Sequence, residues 1–118
     1  MIYKAFIPMK LPSLNDYIRA CRANKFAASK MKREIEDEIG FYLKPLPKLK
    51  RVSILFYWHE KTKRRDYDNI AFAKKFILDA MVKYGKLDDD NRSNVFGFED
   101  RFSYGHEDYV ELTIYEGE

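Results

Sequence analysis

The run Val52 to His59, VSILFYWH, constrains the fold more than any other stretch, because β-branched and aromatic residues dominate it and charged segments bound it on both sides. Such a segment reads as a central strand, and apolar residues at both parities predict burial on both of its faces. A chain of 118 residues has room for one core. The remaining elements must therefore pack around this strand as a single domain spanning 1–118.

Tyr3, Ala5 and Ile7 alternate with Ile2, Lys4 and Phe6 before Pro8, which predicts a short first strand. In the tail YVELTIYE, residues 109–116, Val110, Leu112 and Ile114 share one face of an amphipathic strand. Asn94 to Phe98 reads as a further strand weakened by Gly97. Ala28, Met31, Ile35, Ile39 and Tyr42 stand at helical spacing and predict a helix from about Lys25 to Lys44. Ile70, Ala73, Ile77, Met81 and Tyr84 form the stripe of a second helix, with Gly85 placed to end it. The order β–α–β–α–β(β) describes an α+β domain, a small mixed sheet covered by two helices.

Several chemistries are excluded by what the chain lacks. Its one cysteine, Cys21, cannot form an internal disulfide or a Cys-based zinc site, and reads with Trp58 as a packing residue. His59 and His106 do not make a zinc motif, and there is no Gly-rich phosphate loop and no G-x-S-x-G. No apolar run approaches the roughly 18 residues of a membrane span, and no secretory h-region opens the chain, so the expected location is cytoplasmic with no membrane partner.

Charge divides at the middle of the chain. Residues 1–65 hold 16 Lys/Arg against 6 Asp/Glu, a balance of +10; residues 66–118 hold 6 against 13, a balance of −7. A basic half that sits on phosphates beside an acidic half that holds divalent cations suits a metal-dependent nuclease, although solvated surface charge produces the same totals.

The sharpest local feature is where the halves meet. Lys61, Lys63, Arg64 and Arg65 run directly into Asp66 and Asp68. Carboxylates at i and i+2 face the same side of an extended segment, so both oxygens can converge on one hard cation while Tyr67 points away. Helix capping by either aspartate is the competing explanation. A second acidic run, Asp88, Asp89 and Asp90, follows the helix, but a helix of about 17 residues carries the chain about 25 Å from the first pair. The clusters meet only if the chain after Gly85 turns back or a second subunit supplies one of them. Lys75 shares a helix face with Asp68 and Asp79 and is placed to neutralise phosphate charge; a surface pair with Asp79 is its plainer role. Arg19, Arg22, Lys25, Lys30, Lys32 and Arg33, interleaved with Tyr17 and Phe26, outline a second basic surface with aromatic contacts for unpaired bases.

RRDYDN, a helix ending LDAMVKYG, and then LDDDN resemble the RusA family of Holliday-junction resolvases, many of them encoded by phages and prophages. PSLNDYIRA with a downstream MK is similar to that family's opening segment, and adds Asn15 to the expected DNA-binding residues Lys61, Lys63, Arg64, Arg65, Tyr17, Arg22 and Lys32. The resemblance implies a small α+β homodimer that cuts four-way DNA junctions with Mg²⁺, Mn²⁺ being the possible substitute, in DNA recombination and repair. It places the paired carboxylates on Asp66 and Asp68. Counting from Gly85 puts the third on Asp90, with Asp89 its neighbour. Counting back four residues from Asp79 puts the catalytic lysine on Lys75 rather than Lys74; counting from Asp66 does not reach the same residue. Two rival readings remain at this stage: a nucleic-acid-binding module without catalysis, and a metal nuclease acting on flaps, single strands or RNA.

Overall fold

A computed structural model describes residues 1–117. It forms β1 (Ile2–Ile7), α1 (Leu14–Ala23), α2 (Lys25–Tyr42), β2 (Val52–Glu60), α3 (Tyr67–Ala71), α4 (Lys74–Lys83), β3 (Val95–Tyr104) and β4 (Tyr109–Glu116). The four strands make one mixed sheet in the order β1-β4-β2-β3. β4 is antiparallel to both β1 and β2, whereas β3 runs parallel to β2, so the chain from 61 to 94 is the crossover between them.

VSILFYWH is indeed a central strand, but only one of its faces is fully buried. Val52, Ile54, Phe56 and Trp58 point into the core, while Ser53, Leu55, Tyr57 and His59 are half-buried on the other side. The helices lie on one face only. On the opposite face aromatic neighbours cover the strand in part: His59 stacks on Tyr109 at 4.5 Å, and Phe6 lies 5.1 Å from the same ring. The core beneath the helices gathers Ile7, Ile39, Phe56, Phe76, Ile77, Met81 and Leu112 with Trp58. The Trp58 indole N–H donates to Asp100 Oδ1 at 2.9 Å.

Two features of the helices depart from the sequence reading. Residues 14–23 form an additional helix, α1, opened by a capping box in which Ser13 and Asp16 exchange bonds with each other's backbone N–H. α1 buries no residue completely, which is why its apolar periodicity is faint, and Cys21 on it is exposed rather than packed. Asn24, in extended conformation, ends α1 and starts α2, accepting from the Ala27 N–H at 2.7 Å. The second predicted helix is interrupted. Around Phe72 and Ala73 the bonds shorten to i→i+3, from Ala73 to Ile70 and from Lys75 to Phe72, which separates α3 from α4.

α4 ends at Gly85, whose φ of 73° lets the Lys86 N–H reach the Met81 carbonyl and the Gly85 N–H reach that of Val82. Beyond β3, the chain must step over the end of β2 to reach β4. Gly105, at φ 129°, donates to the Glu60 carbonyl at 2.8 Å, and Asp108 accepts from the Lys61 N–H. That crossing holds the end of β2, from which the basic loop departs.

Candidate active site

Two segments more than 50 residues apart fasten to each other around the acidic pair. Arg65 ends the basic loop and turns inward. Its Nε donates to Glu60 Oε1 at 2.9 Å, its Nη2 pairs with Oε2, and its Nη1 donates to the Leu11 carbonyl at 3.1 Å, with Asp16 3.8 Å away. The Arg65 side chain is 14% exposed and that of Glu60 9%. Asn69 Oδ1 accepts from the Asn15 backbone N–H at 3.0 Å. The stretch PSLNDY is thus a brace for RRDYDN. Arg65, expected on phosphate, is instead occupied internally, because a carboxylate buried at the end of β2 requires a counter-ion. Asn15 enters the site through its main chain.

Asp66 occupies the N-cap position of α3 with an extended backbone, φ −71° and ψ 156°, yet its carboxylate makes no capping bond. Asp68 lies in the first turn of the same helix. The pair straddles a helix start rather than one extended segment. Both side chains are exposed, and among the described residues neither carboxylate takes an ion pair or hydrogen bond. Capping, the competing explanation for Asp66, is therefore not what its side chain does. Lys61, Lys63 and Arg64 are exposed immediately before the pair, and the Lys63 ammonium lies 4.6 Å over the Tyr104 ring.

Tyr67 stacks on Phe102 of β3, with centroids 4.3 Å apart and planes at 19°. Between the basic loop, α3 and the end of β3 opens a cleft of about 600 Å³, lined by Thr62, Lys63, Asp66, Tyr67, Phe102 and Tyr104 among others. Sequence reasoning placed aromatic base contacts elsewhere, on Tyr17 and Phe26. The Tyr17 ring packs on Phe72 and Phe76 at 5.6 and 5.8 Å and belongs to the α1 interface. The missed aromatics, Phe102 and Tyr104, stand 34 residues or more from Asp68 in sequence and reach it only through the parallel β2–β3 pairing.

The second half of the site lies along α4. Lys74 and Lys75 diverge sharply. The Lys74 ammonium pairs with Asp100 Oδ2 at 2.5 Å and sits over the Phe98 ring at 5.0 Å, so it belongs to the sheet. Lys75 is 59% exposed and lies 3.3 Å from Asp79 Oδ1. The other oxygen of Asp79 is 3.0 Å from Lys32, which also reaches Glu36 at 3.6 Å. The bond to Asp79 raises the Lys32 ammonium above its ordinary range. Lys32, expected on DNA, therefore ties α2 to α4. Arg22 remains exposed in the last turn of α1.

After Gly85 the chain turns back along α4, as the acidic run requires if it is to approach the helix. Asp88 pairs with Lys48 at 2.7 Å, and Asp89 accepts from the Asp90 N–H and from the Asn91 amide. Asp90 faces α4: burial first, and then repulsion from Asp79, push its carboxyl above the usual carboxylate range, while Lys75 draws it back. Asp90 thus joins Lys75 and Asp79. Among the described residues, no three His, Cys, Asp or Glu side chains gather closely enough to form a metal cage within the chain, so Asp66 and Asp68 stand as a pair apart from Asp90.

A family model described as Endodeoxyribonuclease RusA matches residues 3–115, which includes both braced motifs and all four strands. No curated protein matches the chain.

Proposed function

The chain belongs to the RusA family of endodeoxyribonucleases, and on that premise we propose that it resolves four-way DNA junctions by paired, Mg²⁺-dependent phosphodiester hydrolysis, acting as a homodimer. The observation that carries this reading is the free pair of carboxylates, Asp66 and Asp68, directly after three exposed cations with no carboxylate partner among the described residues. Side chains without partners gain nothing for the fold; a divalent cation gives the carboxylates one and a polyanion gives the cations theirs.

The donor set fits magnesium. That ion prefers hard oxygens and is commonly held by one or two carboxylates together with substrate phosphate and water, so a two-carboxylate pair is sufficient and a three-residue cage is not needed. Mn²⁺ accepts the same donors. When bound, such an ion supplies neutralisation of phosphate charge and acidification of water.

The chain's own residues do the rest. Lys61, Lys63 and Arg64 attract and hold the backbone, and their effect weakens with salt. Arg65, Glu60, Asn15 and Asn69 fix where Asp66 and Asp68 stand. Lys75 presents a 59% exposed ammonium held 3.3 Å from Asp79, a carboxylate it shares with Lys32, and its open side can meet a phosphate oxygen as negative charge grows there. Asp90, with Asp89 its neighbour, is the third carboxylate of the reaction and, standing apart from the Asp66–Asp68 pair, serves it from beside α4 rather than as part of one closed cage among the described residues. Two-fold symmetry provides a second copy of this site, which paired nicks in two strands require.

The test is incubation of the purified protein with a labelled synthetic four-way junction and the matching linear duplex, with Mg²⁺ or with EDTA, alongside Asp68→Asn. Paired nicks in the junction alone, dependent on Mg²⁺ and absent in the variant, are expected. Asp68→Asn should bind the junction as tightly or more tightly, since one negative charge beside a polyanion is gone. Tight binding with no cut under any divalent metal would overturn the nuclease reading, and equal cutting of both DNAs would overturn the junction preference. Size-exclusion with light scattering reports the dimer.

A further inference from the structure

We infer that the cleft beside Asp66 seats one unpaired nucleobase of the DNA, stacked on Tyr67 and Tyr104. This rests on the nucleic-acid reading above and names what that site takes from the strand.

The cleft has the chemistry of a base site. Its volume of about 600 Å³ falls in the ordinary range of small-molecule pockets. Its walls are rings: Tyr67 is already stacked on Phe102 and is 68% exposed, and Tyr104 is 56% exposed. Neither tyrosine contributes to the core, so the fold itself does not account for two large rings held open to water at the same place. Ile70 closes the floor. Lys63, over the Tyr104 ring, places a cation at the rim where the phosphate of a seated nucleotide would lie. One wall is Asp66 itself.

The charge pattern and the lining commit the site to an unpaired base. The other charged groups of the wall, Arg65 and Glu60, are bound to each other, so no free cation lies deep in the cleft to hold a phosphate there. A base inside a duplex has both faces stacked and cannot enter a concave site, whereas a base at a branch point has already lost part of its stacking. The rings contact any base through its π-face, so stacking itself is tolerant of base identity, while Thr62 and the unpartnered Ser103 hydroxyl stand in the same wall as hydrogen-bonding groups. Seating the base draws its backbone across the loop Lys61–Asp66, beside the paired carboxylates.

The test is a coupling measurement between base and ring. Junctions carrying one abasic nucleotide, scanned through the positions flanking the crossover, are bound by protein in the Asp68→Asn background so that the DNA stays intact. Tyr67→Ala with Tyr104→Ala is compared with the parent, and Tyr104→Phe serves as the control that keeps the ring. Both tyrosines are exposed, so thermal melts of the variants should match the parent. At one position the parent should bind the intact junction about 5- to 150-fold more tightly than the abasic one. The alanine variant should lose that ratio and bind both as the parent binds the abasic DNA, and Tyr104→Phe should retain it. A parent that binds the junction well but shows no abasic position of this kind, or an alanine variant that keeps the ratio, overturns the base site alone. A parent that does not prefer the junction to duplex overturns the function proposed above, and the base site with it.

Discussion

Replacing Arg65 with methionine should unfold much of what places the acidic pair. The guanidinium meets both oxygens of Glu60 and donates to the Leu11 carbonyl, and the two charged side chains are 14% and 9% exposed. Methionine keeps the volume of the stem and removes the charge, which leaves a carboxylate in the interior with no counter-ion. Breaking a buried pair from one side costs about 3–5 kcal/mol, and the orphaned Leu11 carbonyl adds about 1 kcal/mol. Domain stability is on the order of 5–15 kcal/mol, so Arg65→Met should lose a large part of it. The midpoint should fall by roughly 16–24 °C at about 4 °C per kcal/mol. The second variant is Arg65→Met with Glu60→Leu, which removes both charges; replacing a buried pair by apolar residues is often close to neutral. Urea denaturation followed by circular dichroism should place the double variant within about 2 kcal/mol of the parent. The reasoning is refuted if the single variant lies within about 1 kcal/mol of the parent, or if the double variant falls further than the single. The double variant also separates folding from function: with Leu11 no longer fastened to the loop, its nuclease activity should fall although its stability recovers.

Lys74→Met should destabilise the fold by about 1–3 kcal/mol, since the half-buried Asp100 carboxylate loses its charged partner and keeps only the Trp58 N–H, while Lys75→Met should change stability by no more than about 0.5 kcal/mol. Nuclease assays on the same proteins should show the opposite order, with the Lys75 variant inactive although fully folded; an active Lys75→Met would remove that lysine from the reaction. Asp16→Ala removes one arm of the capping box and should cost about 1 kcal/mol at pH 6. The Ser13 backbone N–H holds the Asp16 carboxyl below the ordinary carboxylate range, so this contribution is present above that range and is lost as pH falls through the lower folded pKa. Stability curves of parent and variant should therefore converge in acid; a gap unchanged down to pH 2 would show that the carboxylate is not what caps α1.

Much of the architecture was legible because it rests on local pattern. β2 announces itself by composition, Val110, Leu112 and Ile114 by alternation, and α2 and α4 by their stripes, with Gly85 at the end of α4. α1 was not legible, since a helix that buries no residue completely carries little periodicity. The interruption at Phe72 and Ala73 was hidden for a different reason. Both residues suit a helix, and neither marks a break by its type.

What the sequence by itself determined was the chemistry available: an α+β domain, an acidic pair after a cationic run, a second acidic run after a helix, and the motifs of a nuclease family. Each of these is a matter of residue type and of spacing within a few positions, which local geometry translates directly. Tertiary structure alone decided the roles. Of four consecutive-looking cations, three stay outside and Arg65 turns in, because Glu60 at the end of β2 is buried. Of two adjacent lysines, Lys74 is taken by Asp100 and Lys75 stays largely exposed beside Asp79, because successive helix residues point about 100° apart and only one faces β3. Of three adjacent aspartates, Lys48 takes one, the turn takes another, and Asp90 alone meets α4. Asp100 for Lys74, Lys48 for Asp88 and Leu11 for Arg65 lie 26 to 54 residues away in sequence, and the burial of Glu60 is set by the sheet, none of which a local pattern encodes.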